Sequence, residues 1–191
     1  MLVAKIFIIN ISSSYPDSYW FKSNVLTGQD PILLKKGMEI SEDVLVEFTS
    51  TSRASTNGIL KYDFFFSDGP NFISPRFHKL LLEANVSGVK FFDANVYISG
   101  KKYEGYKFFN PTSRLSAFDK EKSKNEPLVS YLPDGPKIYT EIVLKDDVDI
   151  GVDIFRAEED FTTILATARV KDLCEINKVR GLQFKEHILE A

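Results

Sequence analysis

The chain has 191 residues, a formal net charge of −3 and one cysteine, Cys174. This length suits one domain with a sizeable core, and the mild acidity excludes nucleic-acid binding by bulk electrostatics. A lone cysteine excludes an internal disulfide and a cysteine-based metal cluster and fits a reducing compartment.

Residues 2–11 are mostly β-branched and apolar and predict a central strand. Lys5 interrupts the run and Asn10 ends it. It is shorter than the roughly 20 residues of a membrane-spanning helix, and no small-residue cleavage site follows. The expected location is therefore cytoplasmic, with no membrane partner. Residues 12–30 read as a polar, turn-rich loop. Trp20 and Phe21 inside it are expected to pin the loop to the core, and the alternative for Trp20 is an exposed partner-binding anchor. Ile32–Leu34 and Val44–Thr49 predict short strands around a Lys36-Gly37 turn. Residues 49–57 predict a surface loop, in which Arg53 alone is too little basic charge for a phosphate site.

Ile59–Phe66 predicts a strand with Leu60, Tyr62, Phe64 and Phe66 on one face and Lys61, Asp63 and Phe65 on the other. Ser74 and Pro75 predict a capped helix start. Phe77, Leu80, Leu81 and Ala84 then form an apolar stripe, and Asn85 and Gly88 close the helix. Val89–Ile98 predicts a strand kinked near Asp93, returned by Gly100-Lys101-Lys102 into Tyr103–Phe109. Further strands are predicted over Leu128–Leu132, Ile138–Leu144, Ile150–Phe155, Phe161–Thr167 and Leu182–Phe184, with a turn at residues 133–136. Ala168–Lys178 predicts a helix with Val170, Leu173, Cys174 and either Ile176 or Val179 facing inward, stopped by Gly181. Sixteen Phe and eight Tyr agree with this emphasis on strands. The expected class is α+β, a largely antiparallel β-sheet with two or three short α-helices, in a single domain over residues 1–191.

The chemistry-bearing residues are sparse. His78 and His187 lack ligand spacing, no glycine-rich phosphate loop or nucleophile elbow occurs, and an inward Cys174 reads as packing. No metal or cofactor is expected. Asp63, Asp68, Asp93 and Asp119 lie at strand ends, where a hydrolase could place an acid/base pair. Turn and capping roles account for each of them equally well. One charge imbalance stands out. Residues 141–160 hold eight acids (Glu141, Asp146, Asp147, Asp149, Asp153, Glu158, Glu159 and Asp160) against Lys145 and Arg156, which is −6, while the remainder nets +3. Such a run is either a pair of solvated loops or an acidic patch that selects a basic partner.

A set of short motifs then recurs in a definite order. Ile73-Ser74-Pro75-Arg76-Phe77 is followed by Leu80-Leu81, then Val89-Lys90-Phe91-Phe92, then Tyr106 with Phe108-Phe109-Asn110-Pro111. Ala117-Phe118-Asp119 with Ser123, Ile154-Phe155-Arg156 and Gly181-Leu182-Gln183-Phe184 complete it. This order resembles the immunity proteins of bacterial polymorphic toxin systems, immunity families 11 and 43, long filed as a domain of unknown function. Pro75 stands where a typical member has an acidic residue. The resemblance covers residues 60–185. It divides the chain into a β-rich part at 1–58 and a family-like core at 59–185.

The resemblance implies a non-enzymatic protein that neutralises one cognate toxin by direct contact. An acidic surface suits a basic target, such as a nuclease. Asp146, Asp147, Asp149, Asp153, Glu158, Glu159, Asp160 and Trp20 are then the candidate contact residues, together with the 49–57 loop. The alternatives are a hydrolase using strand-end carboxylates and an adaptor that binds a peptide along a sheet edge.

Overall fold

The structure, a computed structural model, describes residues 3–27, 30, 33–34, 40, 43–51, 55–132, 135, 137–146 and 148–188. The fold is α+β with mixed, mostly antiparallel sheets. The larger sheet runs β3 (Phe21–Val25), β4 (Val46–Ser50), β7 (Val89–Ile98), β9 (Lys107–Pro111), β6 (Phe72–Ile73) and β5 (Phe64–Phe65), with β8 (Lys101–Tyr103) hairpinned onto β7. The second runs β10 (Arg114–Leu115), β14 (Ile154–Ala157), β15 (Ile164–Thr167), β2 (Ile6–Ile11) and β16 (Leu182–Lys185). A third joins β11 (Lys124–Pro127), β12 (Lys137–Val143) and β17 (His187–Ile188), and β1 (Val3–Ala4) pairs with β13 (Val148–Asp149). Two pairings are parallel, β4 with β7 and β10 with β14.

The second sheet lies between two cores. Alternation along its strands sends Ile154, Ile164 and Ala166 into the large aromatic core with Phe64, Phe72 and Phe109. Ile6, Ile8, Phe155 and Leu165 go into a smaller core with Phe118, Ile142 and Leu144. Both faces are covered, which is why β2 reads as an unbroken apolar run.

Several elements differ from their sequence expectation. The 12–30 segment contains β3, whose Phe21 is fully buried. Its outward Lys22 and Asn24 disguise the strand as loop. Leu33 and Leu34 are helical rather than extended; Ile32 and the Lys36-Gly37 turn lie outside the described residues, as do residues 52–54 of the expected 49–57 loop. Thr56–Ile59 forms α1, a single turn capped by Ser55. The strand expected from Ile59 shrinks to Phe64–Phe65. Residues 62–67 are all buried, so no two-faced alternation exists there. Residues 128–132 form turns rather than a strand, while β11 precedes them; of the expected 133–136 turn only Gly135 is described. β7 is continuous through Asp93. Ser99 and Gly100, both at positive φ, make the hairpin turn, and the break falls on the return strand between β8 and β9.

Helix α2 (Pro75–Glu83) begins as its sequence predicts. The Phe77 amide donates to Ser74 Oγ, Pro75 occupies the first turn, and Phe77 and Leu81 are buried. Its start is also tied to a buried carboxylate. Asp63 is 4% exposed and accepts from Ser74 Oγ at 2.9 Å, Arg76 Nε at 3.0 Å, Arg76 Nη2 at 2.5 Å and the Arg180 amide at 3.1 Å. Arg76 Nη1 donates onward to the Asn177 carbonyl, just past α3 (Ala168–Ile176). Backbone bonds double the link, since the Asp63 and Phe64 amides both donate to the Arg180 carbonyl. Gly181, at φ +113°, permits this approach: a Cβ there would sit 2.1 Å from the Phe64 carbonyl oxygen. Gly181 therefore serves a chain crossing, and the left-handed residue after α3 is Lys178.

Arg76→Met removes the counter-charge and leaves Asp63 only the Ser74 hydroxyl and the Arg180 amide, and because the guanidinium is half exposed urea unfolding is expected to show a loss of about 1–2 kcal/mol. Adding Asp63→Asn removes the buried charge and recovers roughly 1 kcal/mol or more of that loss. Strict additivity of the two changes contradicts the role given to the pair.

Candidate functional site

The eight acids of residues 141–160 meet different fates on folding. Asp153 is a bonded structural group. It accepts from the Ser87 amide and hydroxyl, from Thr167 Oγ1 and from Arg169 Nη1 at 2.8 Å. Burial alone raises its pKa, but the Ser87 and Arg169 bonds outweigh burial and hold it below the ordinary value. Glu159 accepts from Ser116 Oγ and the Ala117 amide, and these bonds likewise outweigh burial and lower its pKa. Asp160 takes the Thr162 amide and the Thr162 and Thr163 hydroxyls. Glu141 pairs with Lys124. Asp149 joins β13 through its backbone, opposite Val3, and Asp147 lies outside the described residues. Asp146 and Glu158 are exposed, and their side chains make no hydrogen bond among the described residues; the Glu158 amide donates to the Leu115 carbonyl.

The acids also occupy two places. β14 separates Asp153 at one end from Glu158, Glu159 and Asp160 at the other. The second group neighbours the β11–β12 hairpin. After burial, the charges of Glu159 and Asp160 are the next causes that raise the Tyr139 pKa. Asp146 acts on Lys122, though less than Asp119 does. Folding thus brings Lys122 and Lys124 into a region that the linear sequence presents as almost purely acidic.

The same hairpin carries a feature that the sequence reading passed over. Leu128, Tyr131, Leu132 and Ile138 are exposed together near its tip, with Tyr131 at 85%. Its base is fixed by Tyr139 packed edge-on against Phe118 at 4.9 Å and by backbone pairing of Glu126 with Ile138. The available signal was the Leu-Val-Ser-Tyr-Leu run directly before the Pro-Asp-Gly-Pro sequence, a place where apolar side chains have no second layer to meet. Trp20 lies elsewhere, beside Phe66, with which it stacks at 6.4 Å, and is 39% exposed.

The residues considered for catalysis stand apart. Asp63 is bound by Arg76, Asp68 by Ser23, Asp93 by Lys107 and Asp119 by Lys122. Cys174 is buried, which pushes its thiol up to about 12. His78 packs edge-on against Phe91, and burial lowers its pKa. Among the described residues no group of three His, Cys, Asp or Glu could hold a metal ion. Among the described residues no helix is long and apolar enough to cross a membrane.

Comparison with known proteins adds one match. The model of an immunity protein family, Imm11, covers residues 13–187, so it includes β3 and β4 as well as the motifs from Ser74 onward. No curated protein matches the chain.

Asp153 and Glu159 have folded-state pKa values below their ordinary 3.8 and 4.5. Their ionised forms therefore stabilise the fold above those values, and the contribution is lost as pH falls through the folded ones. Asp153→Asn is expected to cost about 1–2 kcal/mol at neutral pH. The gap between thermal melts of wild type and variant should hold from pH 7 to about pH 5 and close only as pH falls below 3.8, through the lowered folded-state value, and a gap that stays constant there contradicts this account.

Proposed function

Because the chain belongs to the Imm11 immunity protein family, we propose that it binds one cognate bacterial toxin in the cytoplasm and neutralises it by direct contact, without catalysis. The observation that carries this reading is the family match over nearly the whole chain. The contact surface we assign is the β11–β12 hairpin together with the acidic end of the second sheet. Tyr131, flanked by Leu128, Leu132 and Ile138, supplies an aromatic anchor of the kind that dominates interface energetics. Asp146 and Glu158 supply free charge at its rim, which governs encounter rate and partner choice more than affinity. Asp153, Glu159 and Asp160 contribute by fixing the loops, since their oxygens are already engaged. A basic target such as a nuclease fits this surface. The chain acts as one unit of 191 residues, with the 1–58 part completing the larger sheet.

The test is co-expression with the toxin encoded beside this gene, followed by kinetic binding measurements. Tyr131→Ala is expected to weaken binding by roughly 30-fold or more. Asp146→Lys with Glu158→Lys is expected to slow association by roughly tenfold at low salt, with the difference shrinking at high salt. Neither change should lower the melting temperature. Continued killing by the toxin, with no complex on a sizing column, contradicts the proposal.

A further inference from the structure

One position in the second sheet breaks the apolar pattern. On β14 and β15 the side chains facing the aromatic core are Ile154, Ile164 and Ala166, and Arg156 shares that face. It pairs across the ladder with Ile164 and is only 5% exposed. Its Nη1 donates to the Phe161 carbonyl at 2.8 Å. Its Nε is buried with no acceptor, and Nη2 makes no hydrogen bond among the described residues.

The surrounding charge does not compensate it. The residue opposite Arg156 on β10 is Arg114, and after burial the Arg114 charge is the next cause that lowers the Arg156 pKa, to about 10. Asp160 acts in the favourable direction, yet its oxygens accept from Thr162 and Thr163. A guanidinium at a strand position that packs isoleucine, with a bare N–H, is costly unless an anion completes it.

Arg156 lines a cleft of about 370 Å³ together with Ile9, Ile11, Ile164, Trp20 and Phe66. The hydroxyls of Ser67 and Thr162, which also line it, are engaged internally. We infer that this cleft is a carboxylate-binding site anchored by Nη2 of Arg156. Phe161 occupies the Nη1 corner and Nε is sealed by the packing around it, so Nη2 is the donor left to give a carboxylate one charge-assisted bond, with the Nε–H beside it as the reporter. The apolar side chains in the lining lower the local dielectric around that bond, which strengthens it.

The carboxylate has two sources of the same chemistry: a free small carboxylate, or an Asp or Glu side chain of the toxin. Only the second rests on the function proposed above.

Trp20 is the chain's one tryptophan, so its emission reports the cleft. The full chain is titrated with sodium succinate at constant ionic strength, with chloride as control, while Trp20 emission and the Arg156 Nε–H resonance are followed. Succinate is expected to shift both saturably and chloride neither. Arg156→Gln is expected to weaken the response roughly tenfold or more, as for loss of a charge-assisted pair. Absence of a saturable Nε–H shift in the wild-type protein overturns the inference, and that measurement needs no variant. Displacement of succinate by purified toxin assigns the carboxylate to the partner. Retention of succinate in the toxin complex assigns it to a small molecule. A toxin that does not bind defeats the proposed function and leaves the succinate result standing.

Discussion

A carboxylate buried in an aromatic core sets the terms for the rest of this fold. Asp63 has almost no contact with water, so its charge is tolerable only if several donors converge on it. They come from three residues in two segments: Ser74 and Arg76 at the start of α2, and the Arg180 amide after α3. Ser74 also caps α2, Arg76 also holds the Asn177 carbonyl, and Gly181 lets the C-terminal crossing close onto Phe64. Helix position, sheet edge and chain crossing are thereby one problem with one solution. The Ser-x-Arg-Phe motif at residues 74–77 is its visible trace.

With the scaffold fixed in this way, the remaining polar groups separate by what their atoms already do. Asp153 clamps Ser87 to Arg169, and Glu159 clamps the 116–117 segment. Their charge counts toward the acidic run, but their oxygens are committed. Asp146 and Glu158 are free, as are the apolar side chains at the β11–β12 tip. Arg156 is the exception on the interior side, a charge whose donors outnumber its acceptors. Surface and cleft are thus distinguished by unsatisfied groups, which is a stronger criterion than charge counted along the sequence.

The sequence made some features legible and hid others for physical reasons. Ser74-Pro75 and the Phe77/Leu81 spacing located α2, because capping and amphipathicity are local. The family order was readable because its motifs sit on fold elements, and the match to residues 13–187 extends it to the N-terminal part. β3 was missed because Lys22 and Asn24 face water between buried Phe21, half-buried Ser23 and half-buried Val25. Residues 62–67 were misread because a segment buried on both sides has no alternation to detect. The candidate surface was only partly legible. The net acid of residues 141–160 could be counted, but the hydrogen bonds that occupy Asp153, Glu159 and Asp160 come from residues distant in sequence or from a loop conformation, and no local pattern announces them.

The central claim is that scaffold and contact surface are separate, with the toxin meeting the β11–β12 hairpin and the neighbouring acidic loop. Hydrogen exchange of the chain, free and in complex with its toxin, tests this most directly. The account predicts new protection concentrated in residues 124–143 and 158–163, with the Asp63-centred region unchanged. Protection confined to α2 and the 62–74 segment, with the hairpin exchanging as in the free protein, would contradict it.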